Sequence, residues 1–129
     1  MNISPLCCLC NQHLETREHI FLHCEYSEQL WSMLLRRLGQ HQFIFQDWNS
    51  LISWLSTASH DIPMKLKLLV CHTTIYTIWR ERNDRLFNSQ FISPPALFSL
   101  LDRAIKDILL ARRLRHGCSR LLASWFAFS

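Results

Sequence analysis

The chain has 129 residues, 49% of them apolar, and a formal net charge of +4. Two glycines and four prolines are too few turn residues for an all-β protein, and eight Phe with five Trp are too much apolar surface for a disordered linker. The length suits one hydrophobic core rather than two, so residues 1–129 are expected to form a single small all-α, multi-helix domain.

The first segment, residues 5–39, carries the chemistry. Cys7, Cys10, His19 and Cys24 form a Cys-x2-Cys-x8-His-x4-Cys array. Thiolate and imidazole suit a tetrahedral Zn2+, and three Cys with one His close its coordination sphere. A closed sphere has no place for an activated water, so one structural zinc is expected on these four residues. Thr16 is placed to cap a short helix carrying His19 inward. Cys8 lies too close to Cys10 to make as good a knuckle, and His23 is read as flanking the site rather than replacing His19. His13 is expected in solvent.

Further on, Ser27 can cap a helix with an apolar stripe at Leu30, Trp31, Leu34, Leu35 and Leu38, stopped by Gly39. In the connection that follows, Phe43 and Phe45 are expected to tuck into the core. The helical remainder spans residues 47–128. Asp47 can cap a helix with Trp48, Leu51, Ile52 and Leu55 inward. A long helix should run from about Ile62-Pro63 to Asn88, with Leu68, Leu69, His72, Ile75, Tyr76, Trp79, Asn83, Leu86 and Phe87 on its buried stripe. Ser93-Pro94-Pro95 starts another, with Leu97, Phe98, Leu101, Ala104, Ile105, Ile108 and Leu109 inward and Gly117 as its stop. Leu121, Leu122, Trp125, Phe126 and Phe128 form an apolar tail that must dock.

Six cysteines also permit disulfides, but Met1 to Pro5 shows no basic lead into an apolar run, so no secretory leader is expected. Three thiols crowded into Cys7, Cys8 and Cys10 favour metal binding in a reducing compartment, which makes an intracellular protein, nuclear or cytoplasmic, the expectation. Cys71 and Cys118 read as ordinary buried thiols. The longest apolar run, Leu68 to Trp79, is shorter than the roughly 20 residues a bilayer span needs, and no membrane partner is expected.

Charge is uneven. Residues 1–77 hold five Lys/Arg against six Asp/Glu, and residues 78–129 hold nine against four. Arg112, Arg113, Arg115 and Arg120, with His116, are the densest positive group. They suit phosphate contact with RNA or DNA, or else a solvated helix end that complements the helix dipole. Arg80, Arg82 and Arg85 are a second cationic group, interleaved with Glu81 and Asp84. No Gly-rich phosphate loop, paired-carboxylate spacing or nucleophile elbow is present, and no His-x-Glu precedes the cysteine pair as a deaminase needs. Neither an enzyme nor a small-molecule substrate is expected.

Cys7-x-x-Cys10, Glu15-Thr16-x-x-His19-x-Phe21-x-x-Cys24 and Leu30-Trp31 resemble the reverse-transcriptase zinc-binding domain of plant LINE-type (non-LTR) retrotransposons. The segment Ile78-Trp79-Arg80-Glu81-Arg82-Asn83-Asp84-Arg85-Leu86-Phe87 is similar to the Trp-x-x-Arg-Asn-x-x-x-Phe stretch that often follows it. Cys8 and Glu25, where the family pattern has Pro, are departures that remove no ligand. The resemblance implies a detached retroelement fragment without polymerase, endonuclease or ribonuclease H machinery. Its context implies nucleic-acid binding, with a protein-interaction or self-association module and a decayed remnant as the alternatives.

Overall fold

The computed structural model describes residues 5–40, 45–57, 62–116, 118 and 120–127. A π-helical turn, His19–His23, precedes five helices: α1 (Glu25–Arg37), α2 (Trp48–Ser56), α3 (Met64–Phe87), α4 (Pro94–Arg112) and α5 (Leu121–Phe126). No strand occurs among the described residues, where Leu6 and Leu14 form an isolated antiparallel bridge. The all-α expectation is met. Phe43, Gly117 and Phe128 lie outside the described residues.

Helix α1 starts three residues earlier than a cap at Ser27 suggested. Cys24 takes the extended cap conformation, and the Ser27 hydroxyl instead points inward to donate to the Ile20 carbonyl. The expected stripe of Leu30, Trp31, Leu34, Leu35 and Leu38 is buried throughout. Gly39, at φ 74°, closes the helix as its N–H reaches the Arg36 carbonyl at 3.0 Å and Gln40 N–H reaches Leu35 at 2.8 Å. That paired bonding needs a left-handed residue at the stop, which glycine adopts without a Cβ clash.

Asp47 caps α2 as expected, accepting from Ser50 N–H at 2.7 Å. Its inward face is rotated from the expected one. Leu51 is buried and Trp48 and Leu55 are half-buried, but Ile52 is exposed and Trp54 takes the interior position. Trp54 is drawn in because Phe45 packs edge-on against it at 5.4 Å and Gln40 Oε1 accepts its indole N–H at 2.6 Å.

Helix α4 follows its sequence closely. Ser93 accepts the Ala96 N–H at 3.4 Å, two prolines occupy the first turn, and Leu97, Leu101, Ile105 and Leu109 are buried at helical spacing. Phe98, Ala104 and Ile108 are half-buried at its margins. It packs on α1, α3 and α5. In α5, Leu121 and Trp125 dock the tail, and the Trp125 N–H donates to Asp102 at 2.8 Å.

Helix α3 departs from expectation. Its buried residues are Leu66, Lys67, Val70, Cys71, Thr74, Ile78 and Glu81. Leu68, Tyr76, Trp79 and Phe87 are exposed, and Ile75 is half-buried. Apolar residues occupy more than one face of this helix, so periodicity alone cannot choose between them. The choice falls to its neighbours: α2, α4, α5 and the π turn all pack against α3. The polar groups they cover are bonded. Lys67 Nζ donates to the Trp54 and Thr57 carbonyls, each at 2.9 Å, satisfying the open end of α2. Thr74 donates to Val70 at 2.7 Å. Glu81 accepts from Arg85 Nε at 2.7 Å and Ile92 N–H at 3.0 Å, while its other oxygen, Oε1, has no hydrogen-bond partner among the described residues.

Candidate metal centre

The metal-ligand segment is built from a loop and a turn. Cys7 N–H donates to the His13 carbonyl at 2.8 Å and Glu15 N–H to Pro5 at 3.0 Å, on either side of the Leu6–Leu14 bridge. Within this ribbon, Asn11 at φ 57° turns the chain after Cys10 and donates its N–H to the Cys7 carbonyl at 2.7 Å. Asn is among the residues that enter the left-handed region most readily. Thr16 then accepts His19 N–H at 3.0 Å, the cap its position suggested. The π turn closes on a bond from Cys24 N–H to the His19 carbonyl. In a regular α-helix, residues five apart differ by about 140° around the axis; the wider i→i+5 turn brings Cys24 back over His19.

Four ligand atoms converge as a result. One atom each from Cys7, Cys10, His19 and Cys24 lies within 4.8 Å of the others. Cys7 Sγ is 3.7 Å from Cys24 Sγ, and Cys10 Sγ is 3.3 Å from His19 Nε2. A tetrahedral ion with bonds of roughly 2.3 Å to sulfur and 2.0 Å to nitrogen needs S–S and S–N edges of about 3.8 and 3.5 Å. The donor set therefore fits zinc in chemistry and in spacing. Cys7 and Cys24 are fully buried and His19 nearly so. The hydrogen bond with Cys24 draws the Cys7 thiol down to about 5 against the opposing effect of burial, and the same bond pushes Cys24 up. A lowered thiol pKa favours the thiolate form that a metal binds.

The neighbouring thiol and imidazoles stand apart from this cluster. Cys8 points its Sγ at the Arg82 carbonyl, 3.7 Å away, and burial raises its pKa. His23 is exposed, with its ring against the Gln46 carbonyl. His13 is exposed too, its ring 5.1 Å from that of His19.

The C-terminal half of α3 grips the knuckle. Arg82 forms a two-pronged pair with Glu15 at 2.7 and 2.8 Å. Arg85 donates to the Cys8 and Leu9 carbonyls at 3.3 and 3.2 Å, to Ile92 at 3.2 Å and to Glu81, and lies 4.7 Å from the Tyr26 ring. Two of the three arginines in the Ile78–Phe87 stretch therefore brace the knuckle, and Arg80 alone of them is exposed. Asn83, expected on the buried stripe, is half-buried and accepts from Arg82 Nη1 at 3.0 Å. The sequence signal for this clamp was slight: Arg82 and Arg85, three apart on one helix face, and an acid directly before the capping Thr16.

Arg112, Arg113, Arg115 and Arg120 are all exposed. Arg112 and Arg115 line one depression together with Lys65, His72 and His116. Lys65, distant in sequence, was missed; its Nζ donates to the His116 carbonyl at 3.1 Å. Arg113 folds back to the Leu110 carbonyl at 2.7 Å, and Arg120 sits at the start of α5. Among the described residues, no helix is long and apolar enough to cross a membrane.

Residues 1–31 match the family model described as zinc-binding in reverse transcriptase. That span contains the whole ligand array and ends at Trp31, whose indole N–H donates to the Phe21 carbonyl at 2.7 Å. No curated protein and no solved structure matches the chain significantly. The matched segment and the Cys3His cluster together support a zinc-binding domain of the reverse-transcriptase type.

Proposed function

We infer that this chain is a zinc-stapled helical module of plant LINE-type retroelement ancestry that binds RNA or DNA and catalyses no reaction. The observation that carries the reading is the convergence of three thiols and one imidazole at tetrahedral spacing. A bound zinc would supply a four-way cross-link with no open coordination position. Cys7 and Cys10 would anchor the ribbon, and His19 and Cys24 the two ends of the π turn. Arg82 and Arg85 then transmit that anchoring to α3.

Binding would occur on the basic depression of Lys65, Arg112, Arg115 and His116, whose lining among the described residues includes no Asp or Glu. Exposed cations gathered in one depression favour phosphate contacts that tolerate any sequence. Leu110 and Leu114, exposed beside these arginines, favour a second reading, association with a protein or a second copy. Binding of zinc-loaded protein to RNA and DNA across a salt series tests both readings. Each lost phosphate contact flattens the log–log salt dependence by about 0.7 for a single strand and 0.9 for a duplex, so replacing Lys65, Arg112 and Arg115 by Gln should lower the slope by about 2–3. Absence of binding at low salt, or an unchanged slope, would overturn the nucleic-acid reading; concentration-dependent dimerisation would then favour the second.

A further inference from the structure

Tyr76 and Trp79 stand exposed on α3, at 62% and 44% of their surface. The Trp79 ring is held in its setting. Arg82 lies 4.6 Å from the Trp79 ring centroid, and that guanidinium is itself fixed by Glu15. Phe21, from the metal-ligand turn, packs 6.3 Å from the same indole. Trp79, Tyr76, Ile75, Phe21 and His72 line one shallow apolar depression. His72 also lines the basic depression with Lys65, Arg112 and Arg115. The two surfaces are therefore continuous through His72. Positions 65, 68, 72, 76 and 79 recur every three or four residues and make a single stripe along the helix. From Lys65 to Trp79 the stripe rises about 21 Å, roughly six steps of a stacked strand at about 3.4 Å each.

We propose that this stripe is a stacking platform for single-stranded nucleic acid, with Tyr76 and Trp79 taking base faces and Lys65, Arg112 and Arg115 taking phosphates. The proposal rests on the nucleic-acid reading above and specifies its ligand. Only an unpaired base offers its flat face to a side chain, because in a duplex each base is covered by its neighbours. An aromatic pair gains little from a duplex. A cationic run beside exposed aromatics complements a polyanion that carries flat apolar groups. A second copy of this chain would instead bring the same positive charges into contact.

The test measures zinc-loaded protein by fluorescence anisotropy against a labelled single-stranded oligonucleotide, as DNA and as RNA, and against the matching blunt duplex, across a salt series. Wild type should prefer the single strand. Tyr76→Ala with Trp79→Ala should weaken single-strand binding by at least tenfold, since each stacked base contributes roughly 5- to 150-fold. The salt slope should stay unchanged, because stacking releases no counterions. Trp79→Phe should restore part of the loss. Tyr76→Ala alone, at a position with 62% of its surface exposed, supplies a variant whose folding is not in question. Equal binding of strand and duplex, unaltered by these substitutions, would overturn the platform while leaving the nucleic-acid reading intact. Failure of wild type to bind any of these ligands at low salt would remove both. Dimerisation that Trp79→Ala abolishes, without nucleic-acid binding, would assign the surface to a second copy.

Discussion

The knuckle at residues 5–24 and the helices that follow are held together by different physics. The helices bury Leu30, Leu34, Leu35, Leu66, Val70, Ile78, Leu101, Ile105 and Trp125 almost completely, and their cohesion is apolar. The knuckle buries two metal-ligating cysteines, a histidine and only a few large apolar side chains: Leu9, Ile20, Phe21 and Leu22. Its polar ties to the helices include Glu15–Arg82, the carbonyls held by Arg85, and the Ile20 and Phe21 carbonyls that accept from Ser27 and Trp31. One region is thus held by apolar packing, and the other centres on a cluster of side chains that could hold a metal.

The largest expected effect breaks this comparison at the metal. Structural zinc sites contribute apparent binding energies of about 10–16 kcal/mol, and that energy is folding energy for whatever the ion organises. Chelation, Cys10→Ser or His19→Ala should release zinc and strip hydrogen-exchange protection from the π turn and the start of α1. Amides of α4 around Leu101 and Ile105 should keep most of theirs. Uniform loss of protection across both regions would show that the helices depend on the metal as much as the knuckle does.

A smaller effect sharpens the comparison at the clamp. Arg85→Ala would leave Glu81, 1% exposed, without its cationic partner. Uncovering a buried charge in this way costs about 3–5 kcal/mol. Arg82→Ala removes a pair whose side chains are 17% and 28% exposed, and about 1 kcal/mol is expected there. Denaturant midpoints of the two variants measure the difference. Equal costs would overturn the view that Arg85 compensates a buried charge at Glu81.

The same contrast explains what could be read from the residues alone. The ligand array was legible because spacing and ligand chemistry are local, and Thr16, Asp47, Ser93 and Gly39 act within a few residues of the ends they set. Helices α1 and α4 were legible because each has one apolar stripe. Helix α3 was not, because Leu68, Tyr76 and Trp79 are as apolar as Leu66, Val70 and Ile78. What decides between those faces is nonlocal: the carbonyls of α2 waiting for Lys67, and the backbone of Leu9 and Ile92 waiting for Arg85. The role of Glu15 was hidden for the same reason, since its partner lies 67 residues away. Lys65 joins Arg112 and Arg115 through tertiary packing that charge counting along the chain cannot detect.

An effect smaller than that of Arg85→Ala concerns how the tail docks, and it depends on pH. Asp102 accepts the Trp125 indole N–H, pairs with Lys106 at 3.0 Å and lies 3.4 Å from Arg37. Arg37 in turn donates to the Trp125 carbonyl at 3.0 Å and sits 4.9 Å from its ring centroid. Burial pushes the Asp102 carboxyl up, but the bonds from Lys106 and Trp125 and the charge of Arg37 outweigh it and hold the group below its ordinary 3.8. A carboxyl lowered on folding adds stability that is present above 3.8 and is lost as pH falls through its folded value. Asp102→Asn should therefore cost about 1.5–3 kcal/mol near neutral pH, the scale of a hydrogen bond to a charged group. The gap between wild type and variant should narrow progressively below pH 3.8, because protonation makes the wild-type side chain as neutral as the amide. Zinc ligands also protonate in acid, so the comparison is made between the two proteins at each pH. A gap that stays constant down to pH 2 would show that the carboxylate charge does not contribute to docking α5, leaving the burial of Trp125 to hold the tail alone.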